Sequence, residues 1–222
     1  PVMTLSLADH PDLGRFLADH PPPSGAVVIV EGSGRNTTSP ITIGANRLKL
    51  VFRDVKQGAP LVLIPALPPA SQTRVAANKS STDGKPLPAN LPHSQTTDTR
   101  DRRAISLFTL DGGSLELVGG RFHLPESNDP AWLLDVEDGD FTILDCSLLG
   151  PRAPAQAGRG LINWSGSAPG GTGRIIRSYV AGSGVLLNAD FRDRSLLVHD
   201  SLLFSTGSIF DLDLGLCSAS AH

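Results

Sequence analysis

The chain has 222 residues, of which 40% are hydrophobic, 5% aromatic and 18% charged, and 19 basic against 22 acidic side chains leave a net charge of −3. That balance gives no electrostatic reason to bind nucleic acid or an anionic membrane, and no window approaches the run of about 18 apolar residues that a membrane-spanning helix needs. The 23 glycines and 18 prolines suit many short strands joined by tight turns, and the length is compatible with one β domain.

Residues 1–24 read as an N-terminal cap. An apolar alternation at Val2, Leu5 and Leu7 precedes Asp9-His10-Pro11-Asp12, and Leu13, Phe16 and Leu17 then fall on one helical face before Pro21-Pro22-Pro23 stops the helix. A short amphipathic helix of this kind would cover the open edge of stacked strands. The chain starts at Pro1 without a basic-apolar-small leader, and reads as a fragment of a larger protein.

Residues 25–67 carry the first strands: Ala26–Val30, closed by Glu31-Gly32-Ser33-Gly34, then Ile41–Ile43, Leu48–Val55 and Leu61–Ile64. The pattern stops over 68–103, a long polar insertion with Pro68-Pro69, Ser80–Gly84, Pro86, Pro88 and Pro92. A loop of that length is functional or disordered, and its composition favours disorder. Strand patterning resumes over 104–214, where Ser208–Leu214 begins a turn that the last residues are too few to complete.

An eight-residue frame, apolar-x-apolar-x-x-small/polar-x-apolar, recurs from starts at Leu115, Phe141, Gly173 and Ser195, and Leu48–Val55 fits it as well. Spacings of this size mark a solenoid of repeated units. The sixth frame position reads Arg53, Gly120, Cys146, Ser178 and Asp200. With only two cysteines, Cys146 and Cys217, there is no disulfide framework or zinc spacing, and Cys146 reads as a small buried side chain. The frame resembles the right-handed parallel β-helix of the pectate-lyase-like superfamily, in which each rung has three short strands and the sixth position makes a tight inward turn. The resemblance implies an all-β solenoid of about seven rungs, a rod on the order of 30 Å long at the usual strand spacing.

Stacking turns sequence positions into columns. The strand preceding each frame aligns as Leu107–Asp111, Leu133–Glu137, Leu161–Ser165, Leu186–Asp190 and Ile209–Asp213. Alternation places the second column (Phe108, Leu134, Ile162, Leu187, Phe210) and the fourth (Leu110, Val136, Trp164, Ala189, Leu212) in the core. The third column (Thr109, Asp135, Asn163, Asn188, Asp211) and the fifth (Asp111, Glu137, Ser165, Asp190, Asp213) then face solvent. In catalytic members of the superfamily the corresponding sheet carries the active groove, so the resemblance makes this acidic face the leading candidate site.

Three chemistries suit such a face. Asp135 and Glu137, or Asp211 and Asp213, set two carboxylates about 7 Å apart, near the separation that an inverting glycosidase uses for its acid and base. Asp135, Asn163, Asn188, Asp190, Asp211 and Asp213 offer donors and acceptors to a polysaccharide, and Asp135, Glu137, Asp138 and Asp140 are candidate ligands for Ca²⁺. The plainer reading is a solvated polar face. Neither column contains the Lys or Arg that a lyase would use as base, and both tryptophans are placed elsewhere, so aromatic sugar platforms are scarce.

Two further columns stand out. Asp145, Arg177 and His199 share the fifth frame position, where an acid, a base and an imidazole in a row would suit a site, and the plainer reading is a charge-complementary surface ladder. The fourth position, Val51, Val118, Leu144, Ile176 and Val198, is aliphatic although alternation turns it outward, which predicts a cover: the 68–103 insertion, a neighbouring domain or subunit, or a bulge. The expected function is a non-catalytic β-helix binding or spacer module of a larger exported or surface bacterial protein, with polysaccharide or a neighbouring domain as partner. Its rivals are a polysaccharide-active enzyme built on the acidic groove and the extracytoplasmic part of a multidomain receptor or kinase.

Overall fold

The computed structural model describes residues 1–66, 105–126, 131–151, 160–167, 170–190 and 193–213, so the 68–103 insertion lies outside it. The chain winds into a parallel β-helix of about six turns, each contributing three strands. The first turn is β2 (Ala26–Gly32), β3 (Arg35–Thr38) and β4 (Ile41–Thr42), after an initial strand β1 (Val2–Ser6) and helix α1 (Leu13–Asp19). Next come β5 (Arg47–Asp54), β6 (Val62–Pro65) and β7 (Ile105–Asp111), then β8 (Ser114–Val118), β9 (Arg121–His123) and β10 (Ala131–Glu137). The last three turns are β11 (Asp140–Leu144), β12 (Ser147–Leu149) and β13 (Gly160–Ser165); β14 (Thr172–Ile176), β15 (Tyr179–Gly182) and β16 (Val185–Asp190); and β17 (Ser195–His199), β18 (Leu202–Ser205) and β19 (Phe210–Asp213).

Every strand pairs in parallel with its equivalents one turn before and after, which gives three sheets: β1-β2-β5-β8-β11-β14-β17, then β3-β6-β9-β12-β15-β18, then β4-β7-β10-β13-β16-β19. The expected count of seven rungs is met only in the first sheet. Val2–Ser6, assigned to the cap, pairs with β2 from Val2↔Val27 to Ser6↔Glu31 and adds that sheet's seventh strand.

The cap itself forms as the helical spacing predicts. Asp12 is the N-cap and accepts from the Arg15 amide at 3.0 Å, while Leu13 and Leu17 are buried. Helix α1 packs on β3 and β4, the edge strands of the second and third sheets, and β1 occupies the edge of the first. Gly14 makes that approach possible, because any Cβ there would collide with the Ser39 carbonyl.

Inward columns build one apolar core along the axis. Leu50, Leu117, Ile143 and Ile175 from the first sheet meet Leu63, Phe122, Leu148 and Val180 from the second, all at most 1% exposed. Edge-to-face contacts join Phe122 to Phe52 at 5.2 Å and to Phe108 at 5.3 Å, and Phe141 to Trp164 at 5.2 Å. The second and fourth columns of the third sheet are buried as predicted through Leu187 and Ala189, but Phe210 and Leu212 are 42% and 38% exposed. These two sit on β19, the last strand of its sheet, so among the described residues a paired strand flanks them on one side only.

Alternation also fails at the first place of that sheet. Leu107, Leu133, Leu161 and Leu186 share the parity of the outward columns yet are at most 2% exposed. They turn into the corner between the second and third sheets, where Leu161 lies against Gly150.

Candidate functional site

The outward face of the third sheet brings the acidic columns together in the predicted register. Thr109, Asp135, Asn163, Asn188 and Asp211 are successive Cα partners, Glu137 lies between Asp111 and Ser165, and Asp190 is paired with Asp213. Strand alternation alone explains why these residues share a face while Leu134 and Val136 point inward. The centre of the column is hydrogen-bonded along the axis. Asn188 Nδ2 donates to Asn163 Oδ1 at 2.8 Å, and Asn163 Nδ2 donates to Asp135 Oδ1 at 2.8 Å. The amides are thereby fixed in orientation, each bond repeating at the strand spacing of about 4.8 Å.

The candidate cation ligands do not converge. Among the described residues no three His, Cys, Asp or Glu side chains gather as a metal ion requires. Asp138, in a left-handed conformation at φ 52, lies 3.5 Å from the Arg194 guanidinium, and Asp140 Oδ1 accepts from the Thr172 amide at 2.6 Å. Arg194 is itself buried, with donors on the carbonyls of Trp164, Ser165 and Asp190, and its guanidinium carbon lies 5.4 Å from the Trp164 ring centroid. The two acids nearest the turn therefore hold the corner between the third and first sheets.

The other two columns are changed by a register shift of one residue at β17. Leu196, not Ser195, is the partner of Gly173, and His199, not Val198, is the partner of Ile176. A slip by one moves every side chain to the opposite face. The aliphatic stripe therefore reads Ile29, Val51, Val118, Leu144, Ile176 and then His199, half-buried through Ile176, while Val198 joins the inward column of Ile175. The fifth position becomes Gly119, Asp145, Arg177 and Asp200, all with positive φ between 46° and 70°. Arg177 grips Asp145 with two bonds of 2.7 Å, and the same guanidinium holds the Asp145 carboxyl below its ordinary value. His199, removed from that ladder, lies 3.2 Å from Asp200 instead.

The sixth position is the inward turn, and it reads Gly120, Cys146, Ser178 and Ser201 rather than ending at Asp200. Arg53 belongs to a turn of different length, since β5 runs on through Asp54 and β6 starts only at Val62. Ser178 Oγ donates to the Ile176 carbonyl at 2.8 Å and accepts from the Cys146 amide at 3.1 Å; Ser201 Oγ repeats this with the His199 carbonyl and the Ser178 amide. Cys146 is buried, and desolvation pushes its thiol up to about 11.

A second concave surface was not apparent from the sequence. The outward face of the second sheet forms a trough of about 600 Å³ lined by Arg35, Val62, His123, Leu149, Tyr179 and Phe204 over a floor of Gly150, Ala181 and Gly182. The seventh frame position, which holds Tyr179 and Leu202, was the available signal, but adjacent Arg121 and Ser147 give the same column a polar appearance.

Comparison with known proteins finds no matching family model, no matching curated protein and no matching solved structure.

Proposed function

We propose that this chain is a non-catalytic binding module that presents the outward face of its third sheet to a hydroxyl-rich polymer, a polysaccharide, within a larger extracytoplasmic protein. The reading rests on the Asn188-Asn163-Asp135 ladder, which fixes a row of polar groups at rung spacing on a regular, rigid sheet. Rows of oriented amides and carboxylates suit hydrogen bonding to successive sugar hydroxyls. The absence of Lys and Arg from both columns argues for binding over elimination chemistry, because among the described residues neither column carries a cationic side chain to take up a proton or steady a developing charge. The repeat pattern's resemblance to the pectate-lyase-like superfamily supports the polysaccharide class and the extracytoplasmic setting.

The test is a set of soluble oligosaccharides, neutral and acidic, followed both by calorimetry and by release of reducing ends or unsaturated products. Saturable binding with no product, weakened at least about ten-fold by Asn163→Ala, is the expected result, ten-fold being about 1.4 kcal/mol. Turnover that disappears in Asp135→Asn or Glu137→Gln would establish the enzyme reading in its place.

A further inference from the structure

We propose that the trough on the second sheet is a separate binding site for a small organic anion with an elongated apolar body, its carboxylate held by Arg35. At the head of the trough Arg35, from β3, reaches past β6 to β9, where its Nη2 lies 2.9 Å from His123 Nδ1. A guanidinium does not give up its protons in a protein, so Arg35 donates and His123 Nδ1 accepts. The guanidinium is thereby held in place by the ring nitrogen. Arg121, in the same column two strands along the sheet, has its charge met by Asp54 at 2.8 Å, whereas among the described residues no carboxylate pairs with Arg35. A positioned cation without a carboxylate partner among the described residues is complementary to an anion, and its fork suits a planar carboxylate.

Beyond this head the lining is apolar. Leu149, Ala181 and Phe204 follow His123 as successive Cα partners, and Tyr179 stands beside Ala181 on the same face. Three strands at about 4.8 Å carry this surface on the order of 14 Å from the head. Tyr179 is 40% exposed and Phe204 58%, on an outward sheet face where the third sheet instead presents carboxylates and amides. The trough's volume falls in the range of small-ligand sites, as does its make-up of many apolar groups around a few polar ones. A carboxylate at Arg35 would lay a body two rings long across Leu149 to Tyr179.

Titration calorimetry of the intact chain with biphenyl-4-carboxylate and the isosteric biphenyl-4-carboxamide tests this directly. The carboxylate binds saturably and about ten-fold tighter than the amide, the advantage expected of charge-assisted hydrogen bonds. Arg35→Gln removes the difference without changing amide binding, Phe204→Ser weakens both ligands, and Asp135→Ala changes neither. Equal affinities for the two ligands would overturn the proposal, as would an advantage that survives Arg35→Gln, an affinity insensitive to Phe204→Ser, or no saturable carboxylate binding below about 1 mM. All three side chains replaced lie on the outer surface, and circular dichroism of each variant verifies the fold.

Discussion

Arg194 shows how one side chain can close a corner. It belongs to a loop residue immediately before β17, yet its side chain is 1% exposed and its donors meet carbonyls at the ends of β13 and β16. Replacing it by Met removes the charge while keeping most of the stem, and takes a buried charged donor away from the Trp164, Ser165 and Asp190 carbonyls and from Asp138. Urea unfolding should show a loss of about 3–5 kcal/mol, in the range for breaking a buried charged network. Ser178→Ala should cost less, about 1–2 kcal/mol, because it deletes one donor and one acceptor of the turn ladder. Nothing local in the sequence marks Arg194, which looks like any polar loop residue; its role comes from carbonyls contributed by strands 4 to 30 residues away in sequence.

At the level of elements, α1 depends on Asp12. Partial burial acts to raise its carboxyl, but hydrogen bonds from Ser39 Oγ at 2.6 Å, the Arg15 and Ser39 amides and Thr38 Oγ1 together outweigh burial and hold it below its ordinary value. A carboxyl lowered in the folded state stabilises that state above its unfolded value near pH 4, and the contribution disappears as pH falls through the lower folded value. Asp12→Asn should therefore destabilise the chain at pH 7 by about 1–2 kcal/mol, and the gap from the parent should narrow below about pH 4 in denaturant midpoints taken across pH. Here the sequence was informative: Asp before an apolar helical face is a start signal, and the helix begins at Leu13 as predicted. The alternation Val2, Leu5, Leu7 was informative as well, but its destination was not, because a strand next to a helix reads as cap or as first rung until its pairing partner is known.

On the scale of the whole molecule, the two ends of the β-helix differ. At one end α1 and β1 cover the sheet edges; at the other, Val198, Phe210 and Leu212 turn toward the axis but are 36–42% exposed. Amide exchange should consequently be slowest in β8 to β13 and fastest in β17 to β19, and uniform protection along the axis would contradict this account. Adding calcium should leave the melting temperature unchanged, since Asp138 and Asp140 are committed to Arg194 and the Thr172 amide; a rise with calcium would mean a site that binds the folded state.

The eight-residue frame by itself determined the parallel β-helix, its core columns and the acidic face of the third sheet, because strand alternation is local and the same alternation repeats in every turn. The tertiary structure corrected the register of β17: the frame started at Ser195 misses its first apolar place, the frame from Leu196 meets all four through Val198, Ser201 and Leu203, and this one-residue choice exchanges Val198 for His199 on the stripe. It alone also decided the buried leucine column, the seat of Arg194 and the trough at Arg35. Each of these is made by side chains and carbonyls from different turns meeting at a corner or across a sheet, and their contact depends on how the turns stack, which no single stretch of sequence contains.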